Sequence, residues 1–259
     1  MSNTILFELK NNVAVITLNR PDKFNSFNKE MALSLQKVLD ECSNNKTIRS
    51  ILITGNGKAF SAGQDIGELT GENPSTISEI LCDHYNPIVT RIRNISLPVV
   101  CAVNGVAAGA GANIALACDI VLAGDSANFI QAFSKIGLIP DSGGTYTLPR
   151  LIGFQRASAL MMLGDKVNAV DALQMGMIYK VFSDEILQEE SFKIATTLAN
   201  MPTKGLAYTK FVLNHSANNS LEEQLKLEDE YQQIAATTFD YNEGIAAFIE
   251  KRKPNFKGE

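Results

Sequence analysis

The strongest constraint on the fold is a recurring junction between an apolar strand and a segment that carries glycine. Two such segments, at 60–65 and 104–111, stand where a strand is predicted to end, and a third at 138–144 holds Asp141 beside a glycine pair. In a parallel sheet, ligands bind in the crevice outside the carboxyl ends of the strands. We therefore expect the three segments to form one site.

Strand and helix patterns alternate along the first two thirds of the chain. The runs at 5–10 and 13–18 flank Asn11-Asn12, which predicts a β-hairpin. Apolar strands at 50–54, 98–103 and 119–123 then alternate with segments of helical spacing, and a polar stretch lies at 70–75. This order predicts an α/β fold in which helices cover a largely parallel sheet system.

The strand patterns cease after 179–182, and helical segments follow at 184–199, at 203–213 and from Leu221 onward. In the last segment, apolar side chains recur every three or four residues on an otherwise charged helix. Such a face packs on the chain's own core or docks on another subunit. We predict an α/β core at 1–190, which holds the site, and a C-terminal helical region at 191–259.

Composition excludes several classes of protein. A chain of 259 residues with 45% hydrophobic content can bury a large core, which excludes a disordered chain. The 23 basic and 28 acidic residues give a net charge of -5, which disfavours nucleic acid or an anionic membrane as the main partner. The start at Met1-Ser2-Asn3-Thr4 leads directly into a strand pattern, so we expect no signal peptide, no membrane span and a cytoplasmic protein.

The cysteines and histidines predict no metal site. The four cysteines lack C-x-x-C spacing, and two of them stand in apolar runs, which is typical of reduced structural residues. His84 and His215 are the two histidines, and neither belongs to an H-E-x-x-H arrangement or a cysteine cluster. We therefore expect no metal ion.

Four segments resemble the crotonase (enoyl-CoA hydratase/isomerase) superfamily, and the likeness covers nearly the whole chain. They are Leu18-Asn19-Arg20-Pro21, Ala62-Gly63-Gln64-Asp65, Cys101 through Gly111, and Ala132 through Gly144. Within the superfamily they are most similar to the isomerases that act on ring-1,2-epoxyphenylacetyl-CoA in phenylacetate degradation. The resemblance implies a spiral of β-β-α units, a C-terminal helical trimerisation region, and a homotrimer or a dimer of trimers.

The resemblance also implies a coenzyme A thioester as substrate, with no separate cofactor because coenzyme A is part of the substrate. The thioester carbonyl oxygen would accept hydrogen bonds from the backbone N–H groups of Gln64 and Ala110, an oxyanion hole. The residues expected to contact the coenzyme A or acyl portions, two of them from a neighbouring subunit, are Lys23, Ala62, Asp65, Ile66, Phe133, Phe248 and Lys251.

Asp141 allows two interpretations. Pro140-Asp141-Ser142-Gly143 is good turn chemistry, and an aspartate commonly caps a helix such as one that begins near Gly143. The resemblance implies instead a catalytic aspartate that shuttles a proton. The small residues at 108–111 also allow two interpretations. They let a helix and a strand pack closely, or they supply hydrogen-bond donors.

Two departures from the family pattern bear on the reaction. Hydratases place glutamates at the positions of Asn113 and Phe133, and neither replacement can transfer a proton. We therefore expect an isomerase, which converts 1,2-epoxyphenylacetyl-CoA to oxepin-CoA or a 3-enoyl thioester to the 2-enoyl isomer. The alternatives are an enoyl-CoA hydratase with an unusual substrate and a non-catalytic acyl-CoA-binding or assembly subunit.

Overall fold

Ten strands form two β-sheets within residues 3–70 and 74–259, the part of the chain that the computed structural model describes. Met1 and Ser2 of the N-terminal segment and positions 71–73 of the polar stretch lie outside the described residues. The larger sheet contains β1 (Ile5–Lys10), β2 (Val13–Leu18), β3 (Ser50–Gly55), β5 (Val99–Val103), β7 (Ile120–Gly124) and β10 (Lys180–Phe182). The smaller sheet contains β4 (Ala59–Ser61), β6 (Val106–Ala108), β8 (Asn128–Ile130) and β9 (Lys166–Asn168).

The larger sheet is parallel except at its first pair. Strands β1 and β2 form the predicted hairpin, and Asn11 and Asn12 at its turn have φ angles of 50° and 62°, which asparagine tolerates well. Strands β2, β3, β5, β7 and β10 pair in parallel, in that order. Strands β3 and β5 are buried along their whole length, as their continuous apolar runs predict.

The smaller sheet sets the position of the functional segments. Each of β4, β6 and β8 follows a strand of the larger sheet after a short turn, and the three pair in parallel. Their carboxyl ends therefore lie along one edge. The chain leaves that edge at Ala62, Gly109 and Gln131, so the glycine segments at 60–65 and 104–111 meet there. The third segment, at 138–144, follows the 3-10 turn after β8.

Helices cover both sheets, and the described α-helices have the following bounds. They are α1 (Lys29–Asn44), α2 (Gly67–Thr70), α3 (Ile77–Glu79), α4 (Asn86–Asn94), α5 (Ala110–Leu116), α6 (Gly144–Ile152), α7 (Phe154–Leu163), α8 (Ala169–Gln174), α9 (Asp184–Ala199), α10 (Thr203–Ser216), α11 (Leu221–Ala235) and α12 (Phe239–Ile249). A π-helical turn, Ile80–Tyr85, joins α3 to α4, and two 3-10 turns lie at Pro21–Lys23 and Ala132–Ile136. None of the helices in the described ranges is both long and apolar enough to cross a membrane.

Alternation along the central strands divides the core in two. In β3, Ile51 and Ile53 face the main core, which α1, α4 and α5 help to form, whereas Leu52 faces a second apolar cluster with Leu187 of α9. Both faces of the larger sheet are therefore covered, as the predicted α/β fold requires. That fold class is confirmed.

Polar contacts tie the C-terminal region to the core. The Lys210 ammonium of α10 lies 2.8 Å from the Asp119 carboxylate and donates to the backbone oxygens of Ile92 and Leu97. At a second point, the Arg49 guanidinium donates to the Phe256 carbonyl at 2.8 Å. The predicted boundary at 190 falls within α9, and the division into two regions stays a prediction.

Replacement of Lys210 by Met should lower the free energy of unfolding by about 2 kcal/mol, because the Asp119 carboxylate loses a buried charge-assisted contact. The carboxylate keeps the Arg93 guanidinium at 3.5 Å and the Val99 N–H, and the packing of the side-chain stem is kept. Chemical denaturation of the two proteins measures this difference. Lys193→Met is the matched control, since Lys193 pairs with Glu189 and Glu190 in solvent and should change stability little. Equal losses in the two variants would show that the buried pair does not hold α10.

Candidate active site

A cavity of about 500 Å³ opens at the carboxyl ends of the smaller sheet. Its walls are mainly apolar, and Asp141 is the one carboxylate among the described residues that line it. A larger groove of about 770 Å³ lies between α10 and α11, but it contains none of the predicted site residues. The smaller cavity is the candidate active site because chemically distinct groups converge on it.

Six predicted site residues line this cavity together, and four do not. Those that line it are Ala62, Gln64, Ile66, Ala110, Phe133 and Asp141. Of the others, the Asp65 carboxylate pairs with Arg20 at 2.8 Å, and Phe248 is 85% exposed on α12. Lys23 and Lys251 are exposed to solvent. The contacts of these four residues with coenzyme A stay predictions.

The Gln64 N–H points away from the strand-like segment beside it. The Phe27 N–H donates to the Gly63 carbonyl at 2.7 Å, and the Asp65 N–H donates to the Phe27 carbonyl at 2.9 Å. In such a parallel bridge, the N–H of the residue between these two bonds faces the opposite side. The hydrogen bonds of Gly63 and Asp65 therefore fix the direction of the Gln64 N–H, which itself makes no hydrogen bond to the Phe27 segment.

The Ala110 N–H is also unused by its own helix. Ala110 is the first residue of α5, and the first N–H groups of a helix have no intrahelical acceptor. The Gln64 and Ala110 segments meet closely, since a Cβ added to Gly63 would lie 2.8 Å from the Ala108 carbonyl oxygen and 3.5 Å from the Ala110 nitrogen. Close packing and available donors are thus two consequences of the same small residues.

The helix-cap interpretation of Asp141 is wrong. Helix α6 begins at Gly144, its N-cap is Gly143, and no side chain caps it. The Asp141 carboxylate instead accepts a hydrogen bond of 2.8 Å from the Ser142 hydroxyl. Burial raises the pKa of Asp141, and the Ser142 hydrogen bond acts in the opposite direction. A carboxylate of raised proton affinity inside a cavity is typical of a functional group.

Asn113 holds the backbone of Asp141 from behind the cavity. Its side-chain amide donates to the Asp141 carbonyl at 2.8 Å, and its oxygen accepts from the Gln131 amide at 2.8 Å. Asn113 and Gln131 are buried and do not line the cavity. From the sequence alone, Asn113 is known only as a replacement of the hydratase glutamate. An asparagine inside the apolar run at 112–117 is the feature that could have indicated a buried polar contact.

Tyr85 lines the cavity and His84 does not, a question that the sequence leaves open for both residues. Tyr85 ends the π-helical turn, and its hydroxyl donates to the Gln64 side-chain oxygen at 2.7 Å. Its ring meets the Phe27 ring edge-on, with 5.8 Å between centroids. Burial first, and then the nearby Asp141 carboxylate, raise the pKa of Tyr85, so that it remains a neutral phenol.

Comparison with known proteins identifies the family. Residues 8–259 match the family described as enoyl-CoA hydratase/isomerase. The chain belongs to that family. It is 45% identical to the 1,2-epoxyphenylacetyl-CoA isomerase of Escherichia coli (strain K12), over 100% of both chains. It is 37% identical to the trans-2-decenoyl-[acyl-carrier-protein] isomerase of Streptococcus mutans serotype c, over 98% of each chain.

The structure agrees with this assignment. The crystal structure of an enoyl-CoA hydratase from Bacillus anthracis superposes with a TM-score of 0.92 at 31% identity, covering 99% of this chain and 100% of that one. As a member of the enoyl-CoA hydratase/isomerase family, the protein is an enzyme with isomerase or hydratase activity on coenzyme A thioesters. Both isomerases and hydratases are similar to the chain, so family membership does not decide which reaction it catalyses.

Asp141→Asn should raise the thermal unfolding midpoint at pH 7. Because burial raises the pKa of Asp141, the folded state binds this proton more tightly than the unfolded state. The resulting stabilisation is fully present below the ordinary pKa of aspartate and is lost as the pH rises through the raised pKa. The asparagine cannot ionise and avoids this loss.

Thermal unfolding followed by circular dichroism across this pH window tests the linkage. The difference between the Asn variant and the wild type should grow with pH. Asp125→Asn, at an exposed position outside the cavity, is the matched control and should leave the midpoint unchanged. An Asn variant that is no more stable than the wild type at pH 7 would contradict the burial of an ionised Asp141.

Proposed function

We propose that the protein is an isomerase of a coenzyme A thioester and that Asp141 transfers the proton. One observation carries this proposal: Asp141 is the one carboxylate among the described residues of a largely apolar cavity, whose wall also presents the residues of two available backbone donors, Gln64 and Ala110. A thioester carbonyl bound between those donors would place its neighbouring carbon inside the cavity that Asp141 lines.

The proposed reaction has two proton transfers. Asp141 removes a proton from the carbon next to the thioester carbonyl, and the electron pair moves onto the carbonyl oxygen. The N–H groups of Gln64 and Ala110 stabilise this oxyanion, and the loss of one such donor typically costs about 3 kcal/mol of transition-state stabilisation. Asp141 then returns the proton to a different carbon. The double bond of a 3-enoyl thioester thereby moves to position 2, with no net gain or loss of atoms.

Hydration requires more than this site offers. Water addition needs groups that orient the water and pass on its proton. The hydratase glutamate positions hold Asn113, whose amide is occupied by the Asp141 carbonyl, and Phe133, whose ring lines the cavity. These contacts support isomerisation over hydration. Hydration of an unusual substrate is the second candidate function, and the similarity to a hydratase of known structure supports it.

The substrate proposed first is 1,2-epoxyphenylacetyl-CoA, with the oxepin thioester as product. The 45% identity to an isomerase named for that substrate supports this choice. The apolar wall that includes Phe133 fits a ring or a hydrocarbon chain better than a charged acyl group. A 3-enoyl thioester is the simpler substrate, because it needs only the two proton transfers, whereas the epoxide also requires its electron pairs to rearrange so that the ring carbon–carbon bond bridged by oxygen breaks. Neither reaction needs a metal or redox cofactor, because only protons and electron pairs of the substrate move.

The coenzyme A portion is proposed to extend from the cavity wall at Ala62 and Ile66 toward the surface. Lys23, Ala62, Asp65 and Ile66 would contact it from the same subunit. Phe248 and Lys251 would contact the coenzyme A of a neighbouring subunit in a homotrimer or a dimer of trimers, and the exposure of Phe248 on α12 supports such a contact. A non-catalytic acyl-CoA-binding subunit would have no use for a partly buried carboxylate at the acyl carbon.

Asp141→Asn should lower kcat at least a thousandfold, because the asparagine cannot accept the substrate proton. Affinity for a coenzyme A thioester, measured by calorimetry, should be retained. The wild type should be tested with 2-enoyl, 3-enoyl and epoxyphenylacetyl thioesters, since hydration, bond migration and oxepin formation give different products. Asp125→Asn should keep the wild-type rate. Turnover by Asp141→Asn near the wild-type rate would remove the proton-transfer role.

A further inference from the structure

We propose that Ser142 is a positioning residue for the catalytic carboxylate: its hydroxyl holds Oδ1 of Asp141, so that Oδ2 is the atom that takes and returns the substrate proton. This inference rests on the proposed function of Asp141. Ser142 does not contact the reacting carbon in this scheme. It acts through the carboxylate, which it orients and whose charged form it stabilises.

The contacts of the carboxylate carry the argument. The Ser142 Oγ donates to Asp141 Oδ1 at 2.8 Å, and Oδ2 has no hydrogen-bond partner among the described residues. Ser142 is 2% exposed and lines the same cavity as Asp141. Because one carboxylate oxygen accepts a hydrogen bond and the other does not, the rotation of the carboxylate about its Cβ–Cγ bond is fixed. The two oxygens therefore have different roles.

The backbone supplies an independent observation. Ser142 has a φ angle of 51°, in the left-handed region, and Gly143 follows it at 74°. A glycine adopts this conformation without the steric cost that a serine incurs. The serine nevertheless occupies the position, and the left-handed turn directs its hydroxyl back to the preceding carboxylate. Backbone strain at an active site that serves the placement of a functional group is a known pattern.

Other charged or titratable groups around the cavity do not replace this contact. Tyr85 faces Asp141 from the π-helical turn, but its hydroxyl proton is donated to Gln64. Lys135 lines the cavity from the turn at Ala132–Ile136 and is exposed to solvent, and His84, beside Tyr85, does not line it. Ser142 is thus the one hydrogen-bond donor to the Asp141 carboxylate in the described part of the chain, opposing the rise in pKa that burial causes.

Two substitutions separate the hydroxyl from the backbone. Ser142→Ala removes the hydroxyl and keeps the strained backbone, whereas Ser142→Gly removes the hydroxyl and relieves the strain. If the hydroxyl is the functional group, both variants should move the acid limb of the kcat/KM profile to higher pH. Below that limb, kcat/KM should fall about tenfold relative to the wild type, the usual effect of losing one hydrogen bond to a charged group. The KM should change little, and kcat should fall.

The measurement is the initial rate against pH with 3-hexenoyl-CoA or epoxyphenylacetyl-CoA, whichever the wild type converts. Thermal unfolding of the same samples reports folding, and Ser142→Gly should be at least as stable as the wild type. Asn11→Gly is the backbone control, because Asn11 also has a positive φ but lies in the β1–β2 turn. It should leave the pH profile unchanged.

The outcomes distinguish this inference from the function on which it rests. An acid limb that stays at the wild-type pH in both Ser142 variants overturns the positioning role. A limb that moves in only one of them assigns the effect to the backbone and overturns it as well. If Asp141→Asn is inactive in either case, the proposed function stands without Ser142. Turnover by Asp141→Asn would instead remove the proposed function.

Discussion

The site depends on one partly buried carboxylate that lines an apolar cavity next to backbone donors. Burial of a charge is unfavourable unless hydrogen bonds or opposite charges compensate it. Among the described residues, Ser142 is the one side-chain donor to Asp141, and Tyr85, a neutral phenol, lines the same cavity. The folded state therefore holds this carboxylate with a raised pKa, and the remaining structure supplies the stability that keeps it there. A raised proton affinity strengthens this carboxylate as a base.

The smaller sheet explains how three distant segments reach the same cavity. Strands β4, β6 and β8 have three residues each, and their parallel pairing places their carboxyl ends side by side. Glycine is required where the segments touch, because a Cβ on Gly63 or Gly111 would lie within 3 Å of a backbone oxygen. The available N–H groups thus follow from sheet geometry and close approach, without a side chain that could move. Fixed donors of this kind need no reorganisation when charge develops.

Much of the fold could be predicted from periodicity, and the cavity could be predicted only in part. The hairpin at Asn11-Asn12, the buried strands and the C-terminal helices have strong local patterns, and the structure has them. The short strands of the smaller sheet were not distinguished, since three residues carry too little periodicity. Tyr85 could not be placed because its contact with Gln64 joins segments 21 residues apart and depends on a π-helical turn. Such tertiary contacts have no local sequence pattern.

Position 113 shows how one residue can change the chemistry of this fold. A glutamate there could orient water and exchange a proton with it, whereas Asn113 uses its amide to hold the Asp141 carbonyl and its oxygen to accept from Gln131. The side chain has become part of the support for the base. Gly144 packs so closely that a Cβ on it would lie 2.3 Å from the Asn113 amide nitrogen. A larger residue at 144 would therefore displace the support, and the carboxylate would lose its placement although no cavity residue had changed.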